Sequence, residues 1–529
     1  MSFEALSLPS DPSELRTLIE NKDSEIVRLT REVERQEVHL KLLQEQINLL
    51  TAKRFGRSSE KYPLEQGRLF NEAEVEAVEP LEEDATPTLI QVPAHQRVRG
   101  GRKPLPTQLP RIEVIHDLSA EEKFCAHDGE ALVAIGAECS EQLDIIPAQV
   151  RVIRHVRKKY ACPHCQQGIK TAPLPPQPIP KSLASPGLLA HVAVAKYQDA
   201  LPLYRQERIL KRIGVDISRA TLATWMIQLG GLVQPLINLL RDRMLTYDLL
   251  QMDETTVQVL KEPGKAAQSK SYLWVQRGGP PGQPIILFDY DPSRSQTVPL
   301  RLLEGYQGYL QVDGYEGYNA VGSQPQMTLV GCMAHARRKF DEAIKAQGKA
   351  HQQDPMKVGN AQHGLHSIRA LYRIEREVKD ATPEERYRVR REKAKPQLET
   401  MRTWLDSVLP TVPPESLTGK ALTYLHNQWP KLIRYLEDGR LAIDNNKIEN
   451  AIRPFVIGRN NWLFCDTVHG AKSSASLYGL IETAKANGHE PYYYLRHVFT
   501  ELPQATSLAD IEALLPFNIK PGQISRSLG

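Results

Sequence analysis

Two aspartates lie in parts of the sequence where a buried charge needs a chemical reason. Asp253 and Asp313 each end an apolar run with the same pattern, Leu-Gln-apolar-Asp, and polar or turn residues follow. A carboxylate that enters an apolar strand costs free energy unless it is paired or binds a metal ion. If the two strands are neighbours in register, both aspartates project from the same edge of one sheet.

A third carboxylate, Glu449, lies on the flank of a predicted amphipathic helix. The apolar stripe of that helix is formed by Ile448, Ala451, Ile452 and Phe455. Taken alone, Glu449 is better explained as the solvated partner of Arg453. We expect Asp444 to cap the helix at its N-terminus and Pro454 to end or kink it. Asn445 and Arg453 share the face of Glu449 and could support its carboxylate or a phosphate.

Together the three carboxylates would make an oxygen-rich site of the kind that Mg²⁺ or Mn²⁺ prefers. Asp253, Asp313 and Glu449 are therefore the predicted catalytic and metal-binding residues. Two ions held there could activate an attacking hydroxyl and stabilise a leaving oxygen. The predicted chemistry is metal-dependent cleavage of a phosphodiester bond, or transfer of a DNA strand.

The elements around the two aspartates predict a mixed α/β sheet. Residues 247–260, 270–279 and 283–291 are strand-like runs separated by turns that are rich in glycine and proline. A helical stretch leads to a fourth strand in 308–319, and 327–335 suggests a fifth. Three hairpin-connected strands followed by alternation with helices indicate this sheet class.

A helix-turn-helix is predicted before the sheet, because two helical runs, 203–214 and 219–230, flank a short turn with glycine. Ser218 could cap the second helix. Helical hairpins of this length also occur in proteins that do not bind DNA. In the DNA-binding interpretation, bases are approached by Arg219, Thr221 and Thr224, and phosphates are contacted by Arg208, Lys211 and Arg212.

Residues 15–50 carry a heptad repeat that predicts a coiled coil and a homo-oligomer. The alternative is a single amphipathic helix on the body of the protein. The apolar seam alternates between two sets of positions, the first being Leu15, Lys22, Leu29, Gln36, Leu43 and Leu50 and the second Ile19, Ile26, Val33, Leu40 and Ile47.

A zinc-ribbon-like β module is predicted in residues 112–172, after an acidic linker and a glycine-flanked basic arm. Cys162 and Cys165 have the spacing of a zinc knuckle, and Cys125 offers a third ligand. The fourth ligand would be Asp128 or His127. A site that has lost its zinc is an open alternative.

Further candidates lie between the second aspartate and Glu449. Cys332 and His335 are either a buried cysteine and a helix-start histidine or part of a zinc site. Trp404 and Trp429 are predicted to pack in a core, with base stacking as the alternative. A basic group that could contact phosphates near the metal site is formed by Arg337, Arg338, Lys339, Arg453 and Arg459.

Length and composition limit the class of protein. The chain has 529 residues and a net charge of +4, which implies several domains and does not by itself predict a partner. No apolar run approaches membrane-spanning length, and the N-terminus does not read as a secretory signal. The expected location is the cytoplasm, with no membrane partner.

The order of these features resembles the insertion sequence 66 family of transposases, and the most specific part is DNNKIENAIRPFVIGRNNWLF at 444–464. The resemblance implies a ribonuclease H-like catalytic domain whose Asp-Asp-Glu triad is Asp253, Asp313 and Glu449. It also implies excision and integration of an element by cutting double-stranded DNA at terminal inverted repeats, with accessory proteins as possible partners. Asp128 departs from the family pattern, in which a second cysteine is expected there.

The sequence thus predicts a multidomain α+β protein. The alternatives to a transposase are a non-enzymatic DNA-binding regulator and a purely hydrolytic ribonuclease H-like nuclease. The predicted parts are a coiled coil (1–52), an acidic linker (53–96), a basic arm with the zinc-ribbon-like module (97–175), the helix-turn-helix (176–242), a catalytic domain in two parts (243–340 and 436–485), a helical insertion (341–435) and a C-terminal tail (486–529).

Overall fold

The computed structural model describes residues 11–55, 130, 150–160, 170–346, 359–520 and 522–524. Residues 1–77 and 159–529 form one compact unit, and residues 78–158 form another. Of the second unit, the described residues lie outside helices and strands. The predicted acidic linker and the zinc candidates Cys125, Asp128, Cys162 and Cys165 lie outside the described residues, as does His127.

Helices make up most of the first unit. Four of them lie between residues 186 and 245. In chain order the helices are α1 (Pro12–Phe55), α2 (Pro186–Tyr197), α3 (Leu203–Arg212), α4 (Arg219–Leu232), α5 (Gln234–Leu245), α6 (Thr297–Leu302), α7 (Asn319–Gly322), α8 (Met333–Ala346), α9 (Asn360–Glu377), α10 (Pro383–Val389), α11 (Lys395–Val408), α12 (Leu417–Leu432), α13 (Asn446–Trp462), α14 (Val468–Ala486), α15 (Pro491–Glu501) and α16 (Leu508–Glu512).

A six-stranded sheet lies at the centre of this unit, and all five strands predicted for it from the sequence are present. Its order is β5-β4-β3-β6-β7, with β8 paired to the far end of β3. The first three strands are antiparallel, whereas β6 and β8 run parallel to β3, and β7 runs parallel to β6. The strands are β1 (Lys159–Tyr160) and β2 (Lys170–Thr171), which form a separate hairpin, and β3 (Leu249–Lys261), β4 (Lys270–Gly278), β5 (Ile285–Asp291), β6 (Gly308–Gln311), β7 (Met327–Val330) and β8 (Cys465–Thr467).

Two hydrophobic cores hold the unit together. The larger core joins the sheet to α2, α4, α5, α13, α14 and α15. Helices α4 and α14 approach so closely that a Cβ added at Gly230 would lie 2.4 Å from the Cβ of Ser473. Helix α14 also bonds to the sheet, because the Thr483 hydroxyl accepts the N–H of Ile286 at 3.0 Å and donates to its carbonyl at 2.8 Å.

The second core belongs to the helices inserted between the sheet and α13. It runs from Val330 to Ile443 and includes Trp429, while Trp404 packs at its edge against His363. Trp429 is 9% exposed, in agreement with the packing interpretation of this residue. Inside this core the Arg390 guanidinium pairs with Glu375 at 2.6 Å and donates to the carbonyls of Tyr435 and Asp438.

Strand β3 agrees with the strand predicted at 247–260 and runs past Asp253 to Lys261, because β4 and β8 pair with it beyond the point where β6 stops. The sequence predicts that Pro454 ends or kinks its helix, and the structure shows that it does not end α13, which continues to Trp462. The C-terminal tail packs on the core through residues 514–519, and the Tyr494 hydroxyl donates to the Leu514 carbonyl at 2.9 Å.

Among the described residues, no single helix is long and apolar enough to cross a membrane. Helices α4 and α5 meet at a bend of 45°. Only when the two are counted together do they reach the length and apolar composition of a membrane span.

We predict that Arg390→Ala lowers the free energy of unfolding by about 3–5 kcal/mol, because it leaves the carboxylate of Glu375 partly buried without its partner. Urea denaturation would measure the loss, and hydrogen exchange should localise it to α9–α12. Arg388→Ala is the matched control, since Arg388 is exposed and pairs with Glu385 at the surface. Equal stability of the Arg390 and Arg388 variants would contradict the prediction.

Candidate active site

Asp253 lies on β3, and Asp313 lies two residues after the end of β6, the parallel strand that pairs with β3. Leu250 pairs with Leu310 and Gln251 with Gln311, so each aspartate lies two residues beyond a paired glutamine. The Gln251 amide donates to the Gln311 side-chain oxygen at 2.8 Å. Side chains two residues apart on a strand share a face. Asp253 therefore lies on the face of Gln251, beside Asp313.

Glu449 reaches the same place from α13. The residue before this helix, Asn445, is fully buried, and its side-chain amide donates to the carbonyl of Met252, next to Asp253, at 3.4 Å. The backbone N–H of Asn445 donates to the Cys332 sulfur at 3.2 Å. These bonds fix the first turn of α13, which contains Glu449, against β3.

The helix start differs from the sequence prediction by one residue. Asn445, and not Asp444, occupies the N-cap position, and its side chain makes no capping bond. Asp444 still contributes locally, because its carboxylate accepts the N–H of Asn446 at 3.2 Å. It also accepts the hydroxyl of Tyr372 at 2.9 Å, which ties the start of α13 to α9.

The three carboxylates influence one another electrostatically. Burial raises the pKa of Asp253 well above its usual range, and the charges of Glu254, Asp313 and Glu449 raise it further. Burial also raises the pKa of Glu449, while the guanidinium of Arg338 lowers it and Asp313 raises it. The negative charges repel one another, so they favour the binding of a proton. For the same reason they favour the binding of a metal cation.

Arg338 and His335 of α8 face Glu449. The Arg338 guanidinium lies 3.5 Å from one carboxylate oxygen, and His335 Nδ1 lies 3.8 Å from the other. Burial and the charge of Arg338 lower the pKa of His335 to about 4, and burial raises the pKa of the Cys332 thiol to about 12. Cys332, His335 and Glu449 offer ligand atoms that all lie within 4.8 Å of one another.

A network that the sequence reasoning missed holds the loop after Asp313. Glu254 accepts the Tyr318 hydroxyl at 2.6 Å and pairs with Arg294 at 2.5 Å. Arg294 in turn lies over the ring of Tyr315, whose backbone N–H donates to Asp313 at 2.9 Å. The only sequence signal was a second acidic residue directly after Asp253.

Two of the side chains predicted to contact phosphates are turned towards the protein itself, and their contact with DNA stays a prediction. Arg337 is 7% exposed and points into the helical insertion, where it lies over the ring of Tyr372. Arg459 is turned onto β3, where it donates to the carbonyl and hydroxyl of Thr256. Arg338 remains at the site, Lys339 lies over the ring of Tyr424, and Arg453 lies one turn after Glu449 on α13.

The two helices of the predicted helix-turn-helix are present as α3 and α4. Ser218 caps α4, since its hydroxyl accepts the N–H of Thr221 at 3.2 Å. Thr221 is partly exposed. The other side chains predicted to contact DNA are exposed, namely Arg208, Lys211, Arg212, Arg219 and Thr224.

Comparison with known proteins places most of this chain in one group. A family model described as "Transposase IS66 family" matches residues 181–473, which include all three carboxylates. Models described as "zinc-finger binding domain of transposase IS66", "IS66 C-terminal element" and "Transposase C of IS166 homeodomain" match residues 122–166, 479–517 and 42–114.

Similar curated proteins come from Sinorhizobium fredii. The uncharacterized protein y4qI is 35% identical over 436 residues, which cover 80% of this chain and 78% of that protein. The uncharacterized protein y4jD is 32% identical over 441 residues, which cover 80% of this chain and 83% of that protein. The chain belongs to the IS66 family of DNA-binding transposases.

Proposed function

We propose that this protein is a metal-dependent Asp-Asp-Glu transposase that cuts double-stranded DNA at the terminal inverted repeats of an insertion sequence and joins the freed ends to a target. The observation that supports this best is the meeting of Asp253, Asp313 and Glu449, which are far apart in the sequence, in one electrostatically coupled group. Its proposed place of action is the bacterial cytoplasm, at the nucleoid.

The residues present fit a divalent cation. Oε1 of Glu449 is buried and has no hydrogen-bond partner among the described residues, so a ligand atom is available. The carboxylates of Asp253, Asp313 and Glu449 would hold Mg²⁺ or Mn²⁺, with two ions proposed. When bound, the ions would activate the attacking hydroxyl and stabilise the charge on the leaving oxygen.

The strand order supports a ribonuclease H-like catalytic domain. Three antiparallel strands come first in the chain, and two strands parallel to β3 follow on its other side. Asp253 lies on the central strand, and Asp313 follows the strand beside it. The helices of the second core enter between β7 and α13, which supports a helical insertion in this domain.

A group of cations beside the carboxylates would bind the DNA backbone. Arg277 is paired with Gln251 across β3 and β4, and directly paired residues point to the same face of a sheet. Arg277 therefore shares the face of Asp253. Lys447 lies two residues before Glu449. Its pKa is lowered first by burial and then by the positive charges of Arg277 and Arg386. Such mutual repulsion favours binding of an anion, here a phosphate.

The long helix α1 would join two or more copies of the chain. Near its C-terminal end, Asn48 donates to the Ala346 carbonyl at 3.0 Å and Glu45 accepts the N–H of Leu417 at 3.2 Å. The residues of the heptad seam do not make these contacts, and Val33 and Leu40 are 54% and 64% exposed. One face of α1 thus packs on the helical insertion and leaves the apolar seam for a second α1.

Two other functions use the same features. A purely hydrolytic nuclease would share the carboxylates, and a DNA-binding regulator would share α3 and α4. Incubating the full chain with labelled inverted-repeat ends and a supercoiled target separates the three functions. Joined products support the transposase, cut ends alone support the nuclease, and binding without cleavage supports the regulator.

Asp253→Asn should abolish cleavage in Mg²⁺ and leave binding of the DNA ends unchanged, because it removes a cation ligand but not a DNA contact. Gel shift and cleavage assays on the same labelled ends would measure both properties. Asp289→Asn is a control, since Asp289 on β5 pairs with Arg241 and not with the site. Full cleavage by the Asp253 variant would overturn the catalytic assignment.

Lys447→Gln should weaken DNA binding and reduce the slope of log K against log salt by about 1, the value for one lost phosphate contact. Fluorescence anisotropy with EDTA present would measure this without cleavage. Lys393→Gln is the matched control, because Lys393 is a surface residue that pairs with Glu377 on the insertion. An unchanged slope for the Lys447 variant would exclude the proposed phosphate contact.

Val33→Glu combined with Leu40→Glu should shift the protein towards the monomer, since both charges enter the predicted seam of α1. Light scattering coupled to size-exclusion chromatography would give the mass. Val38→Glu tests the position of the seam, because Val38 is 49% exposed on the same helix but lies off the a and d positions. Equal effects of the two changes would argue against a coiled coil.

A further inference from the structure

His335 is a polar group in the active site for which the three-carboxylate scheme has no role. It is the third residue of α8, and its side chain is 22% exposed. Nδ1 of its ring is buried and has no hydrogen-bond partner among the described residues. A buried nitrogen without a partner costs free energy, so a structure that keeps one needs a reason for it.

One carboxylate oxygen of Glu449 lies near this nitrogen and is also without a hydrogen-bond partner. Nδ1 of His335 lies 3.8 Å from Oε1 of Glu449, and that oxygen is buried and has no hydrogen-bond partner within the described part of the chain. A separation of 3.8 Å is too long for a hydrogen bond. Two neighbouring ligands of an octahedral ion lie about 3 Å apart when both metal–ligand bonds are about 2.1 Å, so the two atoms would have to approach by less than about 1 Å to share an ion.

Charges of both signs surround the imidazole. Besides Glu449, the ring lies close enough to Arg338, Asp313 and Lys339 to be affected by their charges, so the carboxylates are present for a shared cation and two basic side chains lie beside them. Cys332 is less suited as a ligand, because its sulfur already accepts the N–H of Asn445 at 3.2 Å and thereby holds the start of α13. His335 and Glu449 are therefore the pair that faces an ion.

We infer that His335 is a fourth protein ligand of the active-site cation, bound through Nδ1 beside Oε1 of Glu449. This inference rests on the proposed function, because it places the imidazole on the same ion as the carboxylates. A nitrogen ligand favours transition-metal ions, whereas Mg²⁺ prefers oxygen. The chain should therefore bind Mn²⁺ more tightly, relative to Mg²⁺, than an all-carboxylate site would.

The test uses Mn²⁺ alone with the full chain and has a spectroscopic readout. Electron spin echo modulation should show coupling of bound Mn²⁺ to an imidazole nitrogen in the wild type. His335→Gln should lose this coupling and weaken Mn²⁺ binding by at least about tenfold, with a smaller change for Mg²⁺. His363→Gln, which alters a histidine stacked on Trp404 in the helical insertion, should keep the wild-type signal.

Two results would overturn the inference: Mn²⁺ bound to the wild type without nitrogen coupling, or coupling that persists in His335→Gln. The first needs no variant, so a folding defect of the substituted protein cannot hide it. Asp253→Asn separates this inference from the proposed function. If that variant binds Mn²⁺ as the wild type does, the carboxylate site itself is wrong, whatever the role of His335.

Discussion

Two buried glutamines fix the relative positions of the three elements that supply the acidic residues. Gln251 on β3 donates to Gln311 on β6, and Gln311 donates to the carbonyl of Ala442, just before α13, at 2.7 Å. The glutamines are 2% and 1% exposed, so any lost bond would leave a polar group without water. Because of these two bonds, the positions of β3, β6 and α13 depend on one another.

Burying the carboxylates costs free energy, which other interactions in the structure must offset. Burial and like charges disfavour the ionised forms of Asp253 and Glu449, and Arg338 is a close cation on Glu449. The carboxylate of Glu254, by contrast, is bonded by Arg294 and Tyr318. Of the two neighbouring acidic residues on β3, Glu254 is thus satisfied within the protein, and Asp253 is the one proposed to bind an ion.

The helical insertion takes part in the site and is not merely attached to it. Its first helix, α8, brings Cys332, His335 and Arg338 to Glu449, while Tyr372 of α9 bonds to Asp444. The same insertion receives one side of α1. The part proposed to join copies of the chain and the part proposed to cut DNA therefore meet on one group of helices.

The strands, the helices α3 and α4 and the proximity of the three carboxylates could be predicted from the sequence, because each depends on periodicity or on a repeated local pattern. The sequence alone showed that two acidic residues, Asp253 and Asp313, stand at the ends of apolar runs. Only the tertiary structure decided the directions of Arg337, Arg459 and His335, because each depends on which helix face packs inward. Pro454 shows the same limit, since packing along α13 outweighs the local tendency of proline to end a helix.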